Sequence, residues 1–180
     1  MNDPIEILLI EDDPGDVHLA LAVFRALKIA DRCAVANDGE DGMDFLYRRG
    51  RFAARKPGAP RLILLDLKMP RANGFDFLQV VKKDPGLALI PIVALTSSRE
   101  ERDVERAYDL GVNGYVVKGI DFSEYRTTLR SLALYWTGVN DEPPAYVERG
   151  VASLRAFAGR QLQSLRGNLS NPWLWPMGAV

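Results

Sequence analysis

Three short runs limit what this chain can fold into: IEILLI (5–10), LILLD (62–66) and PIVALT (91–96) are apolar at nearly every position. A strand with one wet face alternates polar and apolar residues, so a continuous run is buried on both faces, as in a parallel sheet. CAVA (33–36) and GYVVK (114–118) supply two further strand candidates. Helical patterns fill the gaps. Val17, Leu21, Phe24 and Leu27 share one face over 16–27, and further helices are expected over about 39–49, 74–83, 99–110 and 123–137. Five β–α units in succession predict an open, doubly wound α/β fold, a five-stranded parallel sheet with helices on both faces.

Such sheets bind their ligands beyond the carboxyl ends of the strands, at the topological switch point. The polar residues of this chain gather there. Strand one runs into Glu11-Asp12-Asp13, strand three closes on Asp66, strand four on Thr96-Ser97-Ser98 and strand five on Lys118. With strands one, three and four central, these ends converge on one rim. Glu11, Asp12 and Asp66 bring three negative charges and Lys118 returns one positive charge, so a divalent cation would neutralise the group. Mg²⁺ suits an all-oxygen site of carboxylates and phosphate oxygens. The only histidine, His18, falls on the first helix and reads as a surface or packing residue.

For Asp13 two readings compete, a helix N-cap and a further metal ligand, and the N-cap is favoured. It precedes Pro14, a favoured first helical residue, and so reads as the helix N-cap, with Asp16 in the first turn. Asp66 ends an apolar run where an unpartnered charge would be costly. Beside a divalent ion its carboxylate can attack phosphorus to give an acyl phosphate, with Lys118 and the Thr96 hydroxyl facing the phosphoryl oxygens.

The stretches ILLIEDDP, LILLDLKMP with NG, PIVALTSS and GVNGYVVK resemble the receiver domain of two-component response regulators over about residues 4–138. The resemblance implies a flavodoxin-like receiver fold in which Asp66 accepts phosphate from a histidine kinase. Glu11, Asp12, Asp66 and the Lys68 backbone carbonyl would hold Mg²⁺. Thr96 and Lys118 would form the switch pair, and Tyr115 the switch aromatic whose rotamer follows Thr96. The surface over about 97–137 would be the readout. The connection RRGRFAARKPGAPR (48–61) and the ending LALYWTGVNDEPP are similar to single-domain regulators paired with phytochrome kinases. One departure stands out: Lys118 is followed by Gly119, where the family usually has proline. The Lys68 side chain is expected to overhang the phosphoryl group and hinder attacking water.

Other classes fit less well. A haloacid-dehalogenase-type hydrolase needs a second acid two residues after the nucleophile, and that position is Lys68. No G-x-G-x-x-G follows strand one. A pseudo-receiver serving only as a binding module remains the alternative. The formal charge of −1 gives no whole-chain argument for nucleic acid, and no apolar stretch is long enough to span a membrane. A single cysteine, Cys33, read as a small buried hydrophobe, excludes an internal disulfide and suits a reducing cytoplasm. The start of the chain is acidic, with too short an apolar run for a signal peptide.

The expected organisation is a receiver over 1–140 and a C-terminal extension over 141–180. In the extension Val151, Leu154, Ala158, Leu162, Leu165 and Leu169 recur at helical spacing, weakened by Gly150, Gly159 and Gly167 at about 1 kcal/mol each. It reads as an arm packing on the domain or a symmetry mate, a loosely ordered segment, or a basic membrane-surface helix. It shows no helix-turn-helix signature. Signalling is therefore expected through protein contacts, with a sensor histidine kinase upstream and a homodimer formed through the 97–137 face or the tail.

Overall fold

The computed structural model describes residues 5–70, 73–119 and 121–141. Elements alternate along the chain as β1 (Ile7–Ile10), α1 (Pro14–Ala26), β2 (Cys33–Ala36), α2 (Gly39–Tyr47), β3 (Leu62–Asp66), α3 (Gly74–Lys83), β4 (Ile92–Thr96), α4 (Glu101–Asp109), β5 (Gly114–Val117) and α5 (Phe122–Leu134). A π-type turn over Tyr135–Val139 closes α5. The strands pair in parallel in the order β2-β1-β3-β4-β5, the doubly wound arrangement expected.

β1, β3 and β4 are buried along their whole length, and their pleat divides the core in two. Leu8, Ile10, Ile63, Leu65, Ile92 and Ala94 face the helices α2, α3 and α4, packing with Phe45, Phe77, Leu78 and Ala107. Ile7, Leu9, Leu62, Leu64, Val93 and Leu95 face α1 and α5, packing with Val23, Phe24, Tyr125 and Leu129. The buried stripe of α1 is centred on Ala20, Val23 and Phe24, whereas Val17, Leu21 and Leu27 flank it half-buried. All four residues of the stripe read from the sequence thus pack on this side of the core, with Ala20 and Val23 added at its centre.

Four helices start on a side-chain cap. Asp13 accepts from the Asp16 amide (2.9 Å), Asp38 from Asp41 (2.8 Å), Asn73 from Asp76 (3.0 Å) and Asp121 from Ser123 (2.6 Å). Asp13 is thus the N-cap its place before Pro14 implied. His18 is exposed. Cys33 is half-buried against the α1 side of the core, and burial drives its thiol up to about 12.

The long connection before β3 is held by arginines. Arg55 donates from Nε to the Phe45 carbonyl (2.8 Å), from Nη1 to the Lys56 and Gly58 carbonyls (2.9 Å each), and lies 4.1 Å over the Phe45 ring. Arg61 reaches across the sheet end to the Thr137 and Asn140 carbonyls. The apolar pattern of the extension falls outside the described residues. Among the described residues, no helix is long and apolar enough to cross a membrane.

Candidate functional site

Strand register brings the key side chains together. Ile10 pairs with Leu65, so the next residue of each strand, Glu11 and Asp66, emerges at the same level of the sheet. Asp66 pairs with Leu95 and Thr96 with Val117, which places Thr96 and Lys118 one step beyond. The Lys118 amide donates to the Thr96 carbonyl at 2.8 Å, holding the end of β5 against β4.

The Lys118 ammonium is the hub of the site. It lies 2.6 Å from Glu11 Oε2, 2.7 Å from Asp66 Oδ2 and 2.7 Å from Asp16 Oδ2. Its side chain is only 11% exposed. Burial alone would lower its pKa, but the carboxylates of Glu11 and Asp66 outweigh that and raise it above the ordinary lysine value. Lys118 takes up this position without a following proline, and there is no cis peptide bond among the described residues.

Glu11 is 1% exposed. Burial pushes its carboxyl up to about 7 despite the Lys118 ammonium beside it, and the charge of Asp66 adds to the rise. Asp66 is buried as well; its Oδ1 accepts from the Lys68 amide at 2.8 Å. Carboxylate oxygens of Glu11, Asp12 and Asp66 all lie within 4.8 Å of one another, with Asp12 on the exposed side. Three carboxylates at that spacing, joined by Asp16, exceed what one ammonium can neutralise. The donor set is oxygen only, as a hard divalent cation requires. The residues fit such an ion.

Gly74 permits the close approach of α3. A Cβ there would drive into the backbone oxygen of Asp66 and come within 2.8 Å of Leu67 Cα. The strand that carries Asp66 and the helix that follows it can be this close only over a glycine.

Thr96 is fully buried, and its hydroxyl oxygen accepts from the Ser98 amide at 3.2 Å. The Tyr115 hydroxyl donates to the Ser98 carbonyl at 3.1 Å. Lys68 departs from expectation: its ammonium lies 2.6 Å from Asp103 Oδ2 on α4, so the side chain is paired there and does not overhang Asp66. Asp103 also accepts from the Ser98 hydroxyl at 2.6 Å, and the ammonium of Lys68 and this hydroxyl hold its carboxyl below the usual carboxylate range.

The rim therefore gathers Glu11, Asp12, Asp66 and Lys118, as the strand ends implied. Two contributors escaped the sequence reading. Asp16 appeared there only as a helix-start residue, yet it is a third partner of Lys118. Asp103 sits in ERDVER, which reads as a solvated helix face. A first-turn acid one turn after the metal-candidate pair was an available signal for Asp16; Asp103 offered none.

The family model of the response regulator receiver domain matches residues 7–130. Response regulator Rcp1 of Synechocystis sp. is 34% identical over 135 residues, covering 75% of this chain and 90% of Rcp1. The Mn(2+)-bound crystal structure of Rcp1 superposes with a TM-score of 0.71 at 33% identity, over 78% of this chain and 99% of that one. The phosphorylated cyanobacterial phytochrome response regulator RcpA gives a TM-score of 0.72 at 30% identity, with 78% and 99% covered. The bacteriophytochrome response regulator RtBRR gives 0.62 at 37%, with 94% and 99% covered. With a parallel sheet in the order β2-β1-β3-β4-β5, an acid–ammonium cluster at its carboxyl rim and these relatives, the chain belongs to the response regulator receiver domain family.

Proposed function

We propose that Asp66 is the phosphoacceptor of a two-component pathway and takes its phosphoryl group from a phosphohistidine of a sensor kinase. The observation that carries this reading is the setting of the Asp66 carboxylate. One oxygen is held by Lys118 and the other by the Lys68 amide, with carboxylate oxygens of Glu11 and Asp12 within 4.8 Å of those of Asp66. In the transfer a carboxylate oxygen of Asp66 forms a bond to phosphorus while the bond from phosphorus to the imidazole nitrogen breaks, and that nitrogen keeps the electron pair. Lys118, already protonated and aimed at Asp66, balances charge on the phosphoryl oxygens. Glu11, Asp12, Asp66 and the Lys68 carbonyl are the ligands we assign to Mg²⁺, which when bound supplies further neutralisation of those oxygens.

The Thr96 hydroxyl and Lys118 respond to the new charge, and Tyr115 carries the change to the α4–β5–α5 face. The receiver extends over 1–140 and residues 141–180 form a separate extension. Protein contacts are the output, through a homodimer built on the 97–137 face or the tail. Rcp1 is a response regulator and RcpA and RtBRR are phytochrome response regulators. A phytochrome-class histidine kinase in the cytoplasm is accordingly the partner we assign. A hydrolase is disfavoured, because the position two residues after Asp66 holds a lysine bound to Asp103.

The test uses acetyl phosphate with Mg²⁺ on the full chain, read by intact mass. One phosphoryl group should be gained, and both Asp66→Asn and chelation of the metal should abolish the gain. Sustained phosphate release at enzymic rates would point to a hydrolase. No adduct would leave a binding module without phosphotransfer.

A further inference from the structure

The β4–α4 turn carries a network that the strand-end chemistry does not use. Asp103 Oδ2 takes two donors at once: the Lys68 ammonium at 2.6 Å and the Ser98 hydroxyl at 2.6 Å. Ser98 in turn donates its amide to the Thr96 hydroxyl oxygen at 3.2 Å, and its carbonyl accepts the Tyr115 hydroxyl at 3.1 Å. Asp103 is largely buried, at 10% side-chain exposure, whereas Lys68 is 43% exposed. One carboxylate thus ties together the loop after Asp66, the turn after Thr96 and the ring of Tyr115.

Glu100, the N-cap residue of α4, makes no side-chain capping bond, and the Ser98 hydroxyl accepts a long bond, 3.4 Å, from the Glu100 amide. Charge-assisted hydrogen bonds are the stronger members of such networks, so removing the Asp103 carboxylate frees both Ser98 and Lys68. The acceptor that Tyr115 docks on then loses its fixed place.

We infer that Asp103 is a positioning residue for the Tyr115 switch: by holding the Ser98 hydroxyl it presents the Ser98 carbonyl to the Tyr115 hydroxyl, and through Lys68 it links that contact to the loop following Asp66. This rests on Asp66 being the phosphoacceptor. Asp103 reaches Tyr115 through Ser98, with its charge also bearing on the tyrosine hydroxyl, and reaches the loop after Asp66 through Lys68.

The experiment is a double-mutant cycle on the full chain, with beryllium fluoride and Mg²⁺ as the phosphoryl mimic and affinity as one readout. Asp103→Ala should weaken uptake about threefold, the scale of a partly exposed ion pair with one charge-assisted hydrogen bond. In a Tyr115→Phe background, where the docked hydroxyl is gone, Asp103→Ala should have no further effect. A role in folding alone would weaken uptake equally in both backgrounds, and that result overturns the proposal. The second readout needs no ion: in metal-free protein the Tyr115 ring resonances should move in Asp103→Ala and in Ser98→Ala. Asp103→Asn, which keeps the volume and an acceptor for Ser98, should move them less. Unmoved resonances in all three also overturn it. If uptake persists unchanged in Asp66→Asn, the assignment of Asp66 itself has failed, and the cycle distinguishes that from failure of the Asp103 role.

Discussion

The Lys118 ammonium stands 2.7 Å from Asp66 Oδ2, although fifty-two residues separate the two in sequence. The same nitrogen also serves Glu11 and Asp16, so one cation holds three acids drawn from three segments. Removing one partner of a buried charge group costs far more than the group contributes as a whole, because the remaining charges are left uncompensated. Lys118→Met should lower stability to urea unfolding by about 3 kcal/mol at neutral pH. Mg²⁺ should recover more stability in this variant than in the wild type, since the carboxylates then have no other counter-charge. A variant as stable as wild type, with no larger response to Mg²⁺, would show that the cluster is not electrostatically strained.

Gly74 makes a sharper steric prediction. Its missing Cβ is what allows α3 to lie against the Asp66 and Leu67 backbone, and backbone cannot rotate away as a side-chain tip can. Gly74→Ala should destabilise the fold by about 1–3 kcal/mol, the usual cost of overpacking. It should also displace Asp66 enough to slow phosphoryl uptake. Gly138→Ala is the control: open space surrounds that position, and the gain in helix propensity makes the change neutral or mildly stabilising. Equal melting temperatures for the two variants would refute the packing argument.

The fold was legible wherever a segment carried both a periodic pattern and a punctuating residue. LILLD and CAVA form strands over the expected bounds, and α3 begins at Gly74 behind the Asn73 cap and ends at Lys83 as its pattern implied. The α5 segment held a less regular end, a π-type turn in place of continued α-helix to residue 137. The rim acids and Lys118 could be placed because strand ends are a geometric consequence of the alternation. Side chains that reach between elements could not. Asp103 and Arg61 act over separations that leave no periodic trace, and Lys68 turned toward α4 because a carboxylate there competes for it.

Lys82 supplies a pH dependence away from the site. On α3 its ammonium donates to the Ala88 and Ile90 carbonyls at 3.0 Å each, and burial pushes it down to about 8. In the unfolded chain it returns to about 10.4. Between those values the unfolded state binds a proton that the folded state lacks, so stability rises with pH across the window. The contribution is complete above the unfolded value and is lost as pH falls through about 8. Urea unfolding at several pH values should show this rise in wild type, and Lys82→Met, which keeps most of the stem, should flatten it. The same slope in both proteins would remove Lys82 as its source.

Arg61 anchors the turn that closes α5. From the start of β3 its guanidinium donates to the Thr137 carbonyl at 3.1 Å and the Asn140 carbonyl at 3.4 Å. Those carbonyls lie at the end of α5, where the last turn lacks intrahelical partners. The Asn140 amide closes the turn onto Tyr135 at 2.7 Å and the Thr137 hydroxyl donates to the Ala133 carbonyl at 2.7 Å, so the turn has its own bonds, and Arg61 ties it to the start of β3. Arg61→Met keeps the aliphatic stem and removes the donors. Amide exchange over 135–140 should then accelerate several-fold while β1, β3 and β4 keep their protection, since local opening draws on local bonds. Acceleration spread evenly over the domain would mean that Arg61 supports the core as a whole. Unchanged exchange would mean that the turn stands without it.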